Sequence, residues 1–421
     1  MNDSAFRKID IVILAFILAL GIFLRIPPHT FSQGEPLHWI APLHPQPAFR
    51  QVGFDEGLYR EYVNALIKGG ITSYPDLVDG YIDAQKKLTG SILPPIRFLY
   101  IFAAYVWHML FGCEALEALH HVAAFFSVLT LLLSVAFAWR LTRNVAATLG
   151  IGALMAFAPT QIHMSQHALV DGFFTFWALL SLWVLWENLR APRQWVWLGV
   201  YTFALSCLVL TKENAFFVLV ALGVLIALNR WLQFGTVTRE LLLCTVLGPL
   251  LGMVILVFLA GGLETLRVTY QLSVSKNYQL QYAILTGDGP WHRYIVDLVL
   301  VSPVILILAI GSIFRLDRTK KPELFMSIFI AASYLVMCNI KYGMNLRYAN
   351  MWDMPLRVLA FSQLSALVAP LKRYRTLLLC VAVAAICAIE LRQYIILFVQ
   401  YPLYELVSEG FLRALKILKS H

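Results

Sequence analysis

Twelve apolar runs, near residues 10–26, 92–112, 118–140, 146–162, 168–188, 195–211, 215–233, 241–261, 294–314, 322–340, 349–371 and 376–398, leave this chain little sequence for a soluble core. Most approach the roughly 20 residues that cross a bilayer, and only internally satisfied backbone survives in lipid, so helices are expected throughout. The predicted fold class is an all-α polytopic membrane protein with one integral-membrane domain over residues 1–421. Composition agrees: 60% of residues are apolar, 14% are charged and the mean hydropathy is +0.72, against roughly one-quarter charged residues in soluble domains. The first run follows Arg7 and Lys8 without a small-residue cleavage site, which reads as a retained span. Cys207, Cys244, Cys338, Cys380 and Cys387 lie inside apolar runs as small hydrophobes, so no disulfide framework is expected.

The formal charge of +9 would suggest nucleic acid in a soluble protein. Here the cations collect at 190–193, 230–239, 315–321 and 372–375, in short connections that recur at alternate turns of the chain. The positive-inside rule assigns those connections to the cytoplasm and leaves no call for a nucleic-acid partner. The opposite face then holds Asp171, Lys212-Glu213-Asn214, a loop over 262–293, Arg347-Tyr348 and the tail over 399–421. Segment 27–91, with Arg7 and Lys8 inside, falls on that outer face too. Three full spans between 92 and 168 would put Asp171 and Asp55 on opposite faces, so the 92–112 or 118–140 run is expected to be re-entrant or broken. About eleven spans remain.

Segment 27–91 is too polar to cross the membrane and too apolar to float free. Its stretch Arg60 to Ile67 has helical spacing with one apolar face, which predicts a helix lying in the interface. The tail shows a comparable stripe of Leu403, Leu406, Val407, Phe411, Leu415 and Leu418, opposite Arg413, Lys416 and Lys419, and reads as amphipathic. Asp55 and Glu56, in Gly53-Phe-Asp-Glu-Gly-Leu-Tyr59, are adjacent acids at a membrane surface. Such a pair suits a proton-accepting base or a cation site, and equally suits the cap of the helix that follows.

The order of short motifs along the chain resembles the GT-C glycosyltransferases. The motifs are the Asp-Glu pair in the first outer loop, Pro94-Pro95 opening the next run, Asp171 after Ser165-Gln-His-Ala168, Thr211-Lys-Glu213, Gly289-Pro-Trp291 and Arg347-Tyr348. Within that superfamily the chain looks most like the protein O-mannosyltransferase and aminoarabinose-transferase branch, which uses polyprenyl-phosphate sugars. The resemblance runs from about residue 10 to about residue 360 and implies a GT-C-like helix bundle.

The resemblance implies that Asp55 is the catalytic base and Glu56 a neighbour that orients donor or acceptor. Relatives often carry a basic residue or His before the Pro-Pro, where this chain has Leu93, so Lys86, Lys87 or Arg97 would supply that charge to the lipid phosphate. Gln166 stands where relatives have Arg, while Asp171 matches. With His167 and Glu213, Asp171 is assigned to the acceptor or sugar. Lys212, Arg347 and Tyr348 are assigned to the donor phosphate and carrier, although Met351 and Met354 replace two prolines that relatives show after the Arg-Tyr. If continuous as a helix, 163–171 would put His163, His167 and Asp171 on one face, a spacing compatible with a divalent metal. Lys212 also suits a polar turn with a snorkelling side chain, Trp291 and Tyr294 suit interface anchors, and Asp353 inside its apolar run either lines a wet cavity or pairs with a cation.

The function expected is an inverting membrane glycosyltransferase of the plasma (inner) membrane, moving a sugar from a polyprenyl-phosphate carrier to a protein, lipid or glycan acceptor on the periplasmic or exterior face. A lipid or solute transporter and a non-catalytic scaffold of an envelope assembly complex are the alternatives. A transporter would gather its polar residues near mid-membrane on repeated halves, whereas here they collect at span ends.

Overall fold

The computed structural model describes residues 6–46, 52–341 and 343–419, and among these the secondary structure is helical, with no strand. The first half runs α1 (Lys8–Arg25), α2 (Phe54–Gly69), α3 (Tyr74–Lys87), α4 (Phe98–Phe111), α5 (Ala115–Thr142), α6 (Val145–Ala156), α7 (Pro159–Gln166), α8 (Val170–Arg190) and α9 (Trp195–Thr211). The second half runs α10 (Ala215–Leu232), α11 (Arg239–Leu259), α12 (Leu263–Asn277), α13 (Gln281–Gly287), α14 (Arg293–Val301), α15 (Pro303–Ile313), α16 (Lys321–Met337), α17 (Asp353–Val368), α18 (Arg375–Tyr394) and α19 (Ser408–Ala414). Short 3-10 turns at Pro28–Phe31, His38–Leu43, Ile71–Ser73 and Leu346–Trp352 join some of them, and a π-helical turn at Ile395–Gln400 prolongs α18.

Among the described residues, α5, α8, α10, α11 and α18 with its π-helical turn are long and apolar enough to cross a membrane, and the bent pair α6–α7 makes a sixth. The remaining apolar runs are shorter or broken, so helix length and composition by themselves do not give eleven. The doubtful region from 92 to 168 resolves in detail. Residues 92–97 carry no helix, and α4 has 14 residues, about 21 Å of rise, whereas α5 has 28. The 118–140 run is therefore the full-length one and 92–112 the short one. A break that the apolar pattern does not signal divides the 146–162 run, where α6 and α7 meet at 50°. Pro159 opens α7, as Pro303 opens α15 and splits the 294–314 run, because a residue without an N–H fits the first helical turn and not an interior.

Close helix contacts rest on small residues. On α11, Gly248 and Gly252 face α9 so tightly that an added Cβ would meet the Thr202 carbonyl oxygen at 2.9 Å and the Ser206 carbonyl oxygen at 2.7 Å. The Ser206 hydroxyl donates to the Gly248 carbonyl at 2.7 Å, completing a small-residue seam of the kind that lets apolar helices associate. Gly252→Val is expected to destabilise the protein by about 1–3 kcal/mol through overpacking against backbone that cannot yield. Thermal unfolding in detergent checks this, and an unchanged midpoint would show that α9 and α11 separate freely.

Asp353 lies at the start of α17 in a buried polar cluster. Arg357 donates to it at 2.9 Å, as do Gln161 at 2.7 Å and Thr160. The same Arg357 reaches Glu390 on α18 at 2.7 Å, and Glu390 accepts from Ser302 at 2.9 Å. Nearby, Arg25 at the end of α1 is spent on the carbonyl oxygens of Gly21, Met155 and Ala156, at the α6–α7 break. Of the two sequence-based readings of Asp353, pairing with a cation is the one observed. The carbonyls freed where α6 ends are satisfied by a guanidinium instead of water.

Segment 27–91 contributes two helices. The predicted apolar face of α2 is present as Tyr59, Tyr62, Val63 and Leu66, all buried, and α3 packs beside it through Tyr74, Val78 and Tyr81. Segment 262–293 forms α12 and α13, with Lys276 donating to the Leu88 carbonyl at the end of α3. Trp291 is exposed, as an interface anchor would be, whereas Tyr294 is fully buried against Trp352 and Tyr334. In the tail, helix covers only Ser408–Ala414, and residues 401–407 run without it, inserting Leu406 into the core.

Candidate active site

Gly53 caps α2 and leaves the first turn of that helix to Phe54, Asp55 and Glu56. The two acids then part. Glu56, at the third helical position, turns back to accept from the Gly53 N–H at 2.7 Å, and its other oxygen accepts from the Ala168 N–H at 2.8 Å and meets His167 Nδ1 at 3.2 Å. Burial alone would raise the Glu56 carboxyl, but His167 and the backbone donors outweigh it and hold the pKa at about 2. Glu56 is thus a fixed anion tying α2 to the segment between α7 and α8. Asp55 points the other way and keeps a more accessible side chain, with Arg347 Nη1 at 2.9 Å from its Oδ2.

Arg347 occupies the 3-10 turn that leads into α17, and three acids surround it. Besides Asp55, Glu405 Oε1 lies at 3.7 Å and Asp171 Oδ2 at 3.9 Å. Its Nε and Nη1 are buried without an aligned hydrogen-bond acceptor among the described residues, so donor capacity remains for a ligand. Asp171, in the first turn of α8, also accepts from Lys212 Nζ at 2.5 Å. Lys212 sits in the turn between α9 and α10, fully buried, with Nζ 4.0 Å from the centroid of the Tyr348 ring. Desolvation lowers the Lys212 pKa to about 8 despite the contact with Asp171. Asp55, Asp171, Lys212, Arg347 and Tyr348, drawn from four separate stretches of chain, therefore form one site.

A second pair flanks it. Arg97, just before α4, holds both Glu213 oxygens through Nε and Nη2 and donates to the Tyr59 hydroxyl at 2.8 Å. Arg97 and Glu213 are thus engaged with each other. Arg97 brings the Coulombic attraction that, with Lys212, holds the Glu213 carboxyl at about 2 against burial. Lys86 and Lys87 are exposed at the C-terminal end of α3, and no ion pair joins either to this cluster among the described residues. Pro94 and Pro95 are buried, with the Tyr62 hydroxyl on the Leu93 carbonyl and the Tyr74 hydroxyl on that of Pro95.

The arrangement expected of His163, His167 and Asp171 does not form. Helix α7 ends at Gln166, His167 is extended at φ −114° and ψ 146°, and α8 begins at Val170, so the three share no helical face. His163 stacks on Phe398 and has Nε2 3.2 Å from the Tyr404 carbonyl oxygen, and His167 faces Glu56. Their ligand atoms do not converge within metal-binding reach among the described residues. The chain between α7 and α8 is spent instead on delivering the Ala168 N–H to Glu56.

Two residues of the site lie in the tail, where sequence patterning marked only an amphipathic stripe. Glu405 faces Arg347 and accepts from the Asn345 side-chain amide. Tyr404 lies over the entrance to α2 so closely that a Cβ on Gly53 would meet its ring at 2.4 Å. Its hydroxyl is buried without a partner among the described residues. An acid paired with Tyr in the non-helical 401–407 stretch is a weak signal, and no spacing rule picks it out.

No curated protein sequence matches the chain. The family model for dolichyl-phosphate-mannose-protein mannosyltransferase matches residues 117–270, a segment that carries Asp171, Lys212 and Glu213. Among solved structures, ArnT from Cupriavidus metallidurans in the apo state is similar at TM-score 0.55 and 15% identity over 96% of this chain and 77% of that one. The same values hold for ArnT bound to undecaprenyl phosphate. The apo oligosaccharyltransferase of Archaeoglobus fulgidus is similar at TM-score 0.60 and 13% identity, covering 93% of this chain and 56% of its own length. This chain thus spans little more than half of that relative. At such identities the likeness is one of fold.

Proposed function

We propose, from the GT-C fold of this integral membrane protein, that it is a glycosyltransferase taking its sugar from a polyprenyl-phosphate carrier. The observation that carries this reading is the convergence of Asp55 and Asp171 with Lys212 and Arg347 in one buried site. Neighbours of the same fold have been solved with undecaprenyl phosphate and with dolichol phosphate, which favours a carrier of that class. The acceptor is a hydroxyl of a protein, lipid or glycan. The site opens on the extracytoplasmic face of the inner membrane, in keeping with the basic connections at 190–193, 230–239, 315–321 and 372–375 on the other side.

In this mechanism the acceptor oxygen attacks the anomeric carbon while Asp55 takes its proton. The bond from that carbon to the carrier phosphate breaks, and its electron pair leaves on the phosphate oxygen with inversion. Arg347 and Lys212 receive the growing negative charge, Asp171 holds both cations in place, and Glu56 fixes the helix turn that presents Asp55. Purified protein offered a panel of polyprenyl-phosphate sugars, with released polyprenyl phosphate as readout, tests the reading. Release from none of them, by protein that retains its fold, would overturn it.

Lys212 makes the alkaline limb predictable. With a pKa lowered to about 8, it carries its charge below that pH and loses it above. kcat/KM, which reports the free enzyme, is therefore expected to fall as pH rises through about 8. Lys212→Arg should shift this limb out of the accessible range, because a guanidinium keeps its proton. A limb that stays in place in the Arg variant would belong to another group.

A further inference from the structure

A second cluster lies outside the proposed site, where the 3-10 turn after α1 meets the beginning of α5. Glu117 and His121 are four residues apart on α5 and so share one helix face. His29, in the Pro28–Phe31 turn, brings its Nε2 to 3.2 Å from His121 Nε2. One donor atom from each of His29, Glu117 and His121 lies within 4.8 Å of the others, and all three residues are half-buried, sheltered yet reachable. Two ring nitrogens in that relation need one proton between them, or a shared cation. Ligands of a tetrahedral zinc ion, with bonds of about 2.0–2.2 Å, stand about 3.3 Å apart, close to the observed separation of the two imidazoles. His121 Nδ1 is buried without a partner among the described residues, so this ring is not committed elsewhere.

We infer that His29, Glu117 and His121 form a binding site for a divalent transition-metal ion of the zinc type, which fastens the segment after α1 to α5. Two imidazoles and a carboxylate match the borderline character of zinc better than the all-oxygen sets that calcium and magnesium take, and three protein ligands leave a position for water. None of the three is an ion-pair partner of Asp55, Asp171, Lys212 or Arg347, so the site does not depend on the glycosyltransferase reading. On the same helix, the adjacent His120 lies near the Glu56–His167 pair. Fastening this end of α5 therefore steadies the surroundings of the Glu56–His167 pair.

Tag-free full-length protein in detergent, stripped with a chelator and titrated with Zn2+, tests the inference. One equivalent is expected to bind and to raise the thermal midpoint, since an ion held only by the folded state stabilises it. X-ray absorption of the zinc-loaded wild type should show two imidazoles and a carboxylate, a readout that needs no variant to fold. His29→Ala and His121→Ala should each weaken binding by at least about tenfold, as should Glu117→Gln. Absence of stoichiometric binding by the wild type would overturn the site. So would undiminished binding in the His29→Ala/His121→Ala double variant, or an absorption spectrum without imidazole.

Discussion

Asp55→Asn is expected to reduce sugar transfer by about a hundred- to ten-thousandfold, the contribution of a positioned general base. The substitution keeps the shape of the side chain and deletes its ability to take the acceptor's proton. Folding should survive it, because the turn that presents position 55 is held by Glu56 through Gly53 and Ala168 and not by Asp55 itself. Arg347 would keep Glu405 and Asp171 as partners. Carrier retention, measured with polyprenyl phosphate, should therefore stay near that of the wild type while turnover collapses. Near-normal turnover in well-folded Asp55→Asn protein would remove this residue from the chemistry. Glu56→Gln is the useful contrast: losing a buried anion held by several donors should lower the thermal midpoint as well as the rate.

Much of this cluster is legible in the sequence, for a physical reason. Charged residues are costly in apolar sequence, so Lys212-Glu213, Asp171 and Arg347 stand out wherever helices end, and alternation of basic connections puts them at one level. Their pairing was not legible. Arg97 meets Glu213 across more than a hundred residues, and nothing local to either predicts it. The tail defeats pattern reading differently: a helical stripe over 403–418 suggested one amphipathic element, yet the stretch carrying Tyr404 and Glu405 is non-helical and enters the site by tertiary contact. The apolar run by itself hides the α6–α7 break, which only Pro159 signals. The carbonyls freed at the break are compensated by Arg25, a separation of 130 and 131 residues in the chain being irrelevant once α1 packs against α6. The polar residues also bear on the transporter alternative. The Asp353–Arg357–Glu390 cluster is buried, but its acids are both paired with the one cation Arg357, whereas the site at the helix ends keeps Arg347 donors without aligned acceptors among the described residues.

Those donors set the second large expectation. Arg347→Ala should lower turnover by about ten- to a thousandfold, equivalent to about 1.4–4 kcal/mol, if its guanidinium receives the charge that develops on the departing phosphate. A lysine at this position should recover only part of the loss, since a planar two-point donor becomes a single point charge. The structure warns of a competing explanation. Arg347 stands among Asp55, Asp171 and Glu405, so its removal leaves Asp55 and Glu405 without their cation, beside an Asp171 that keeps only Lys212, and destabilises the site whatever the chemistry requires. Combining Arg347→Ala with Glu405→Gln separates the two effects. The double variant sheds one of the acids and should regain much of the lost thermal stability, yet an enzyme that needs a cation at the phosphate will remain slow. Recovery of turnover together with stability would make Arg347 a counter-ion that only positions the acids, and would leave Lys212 as the cation for the leaving phosphate.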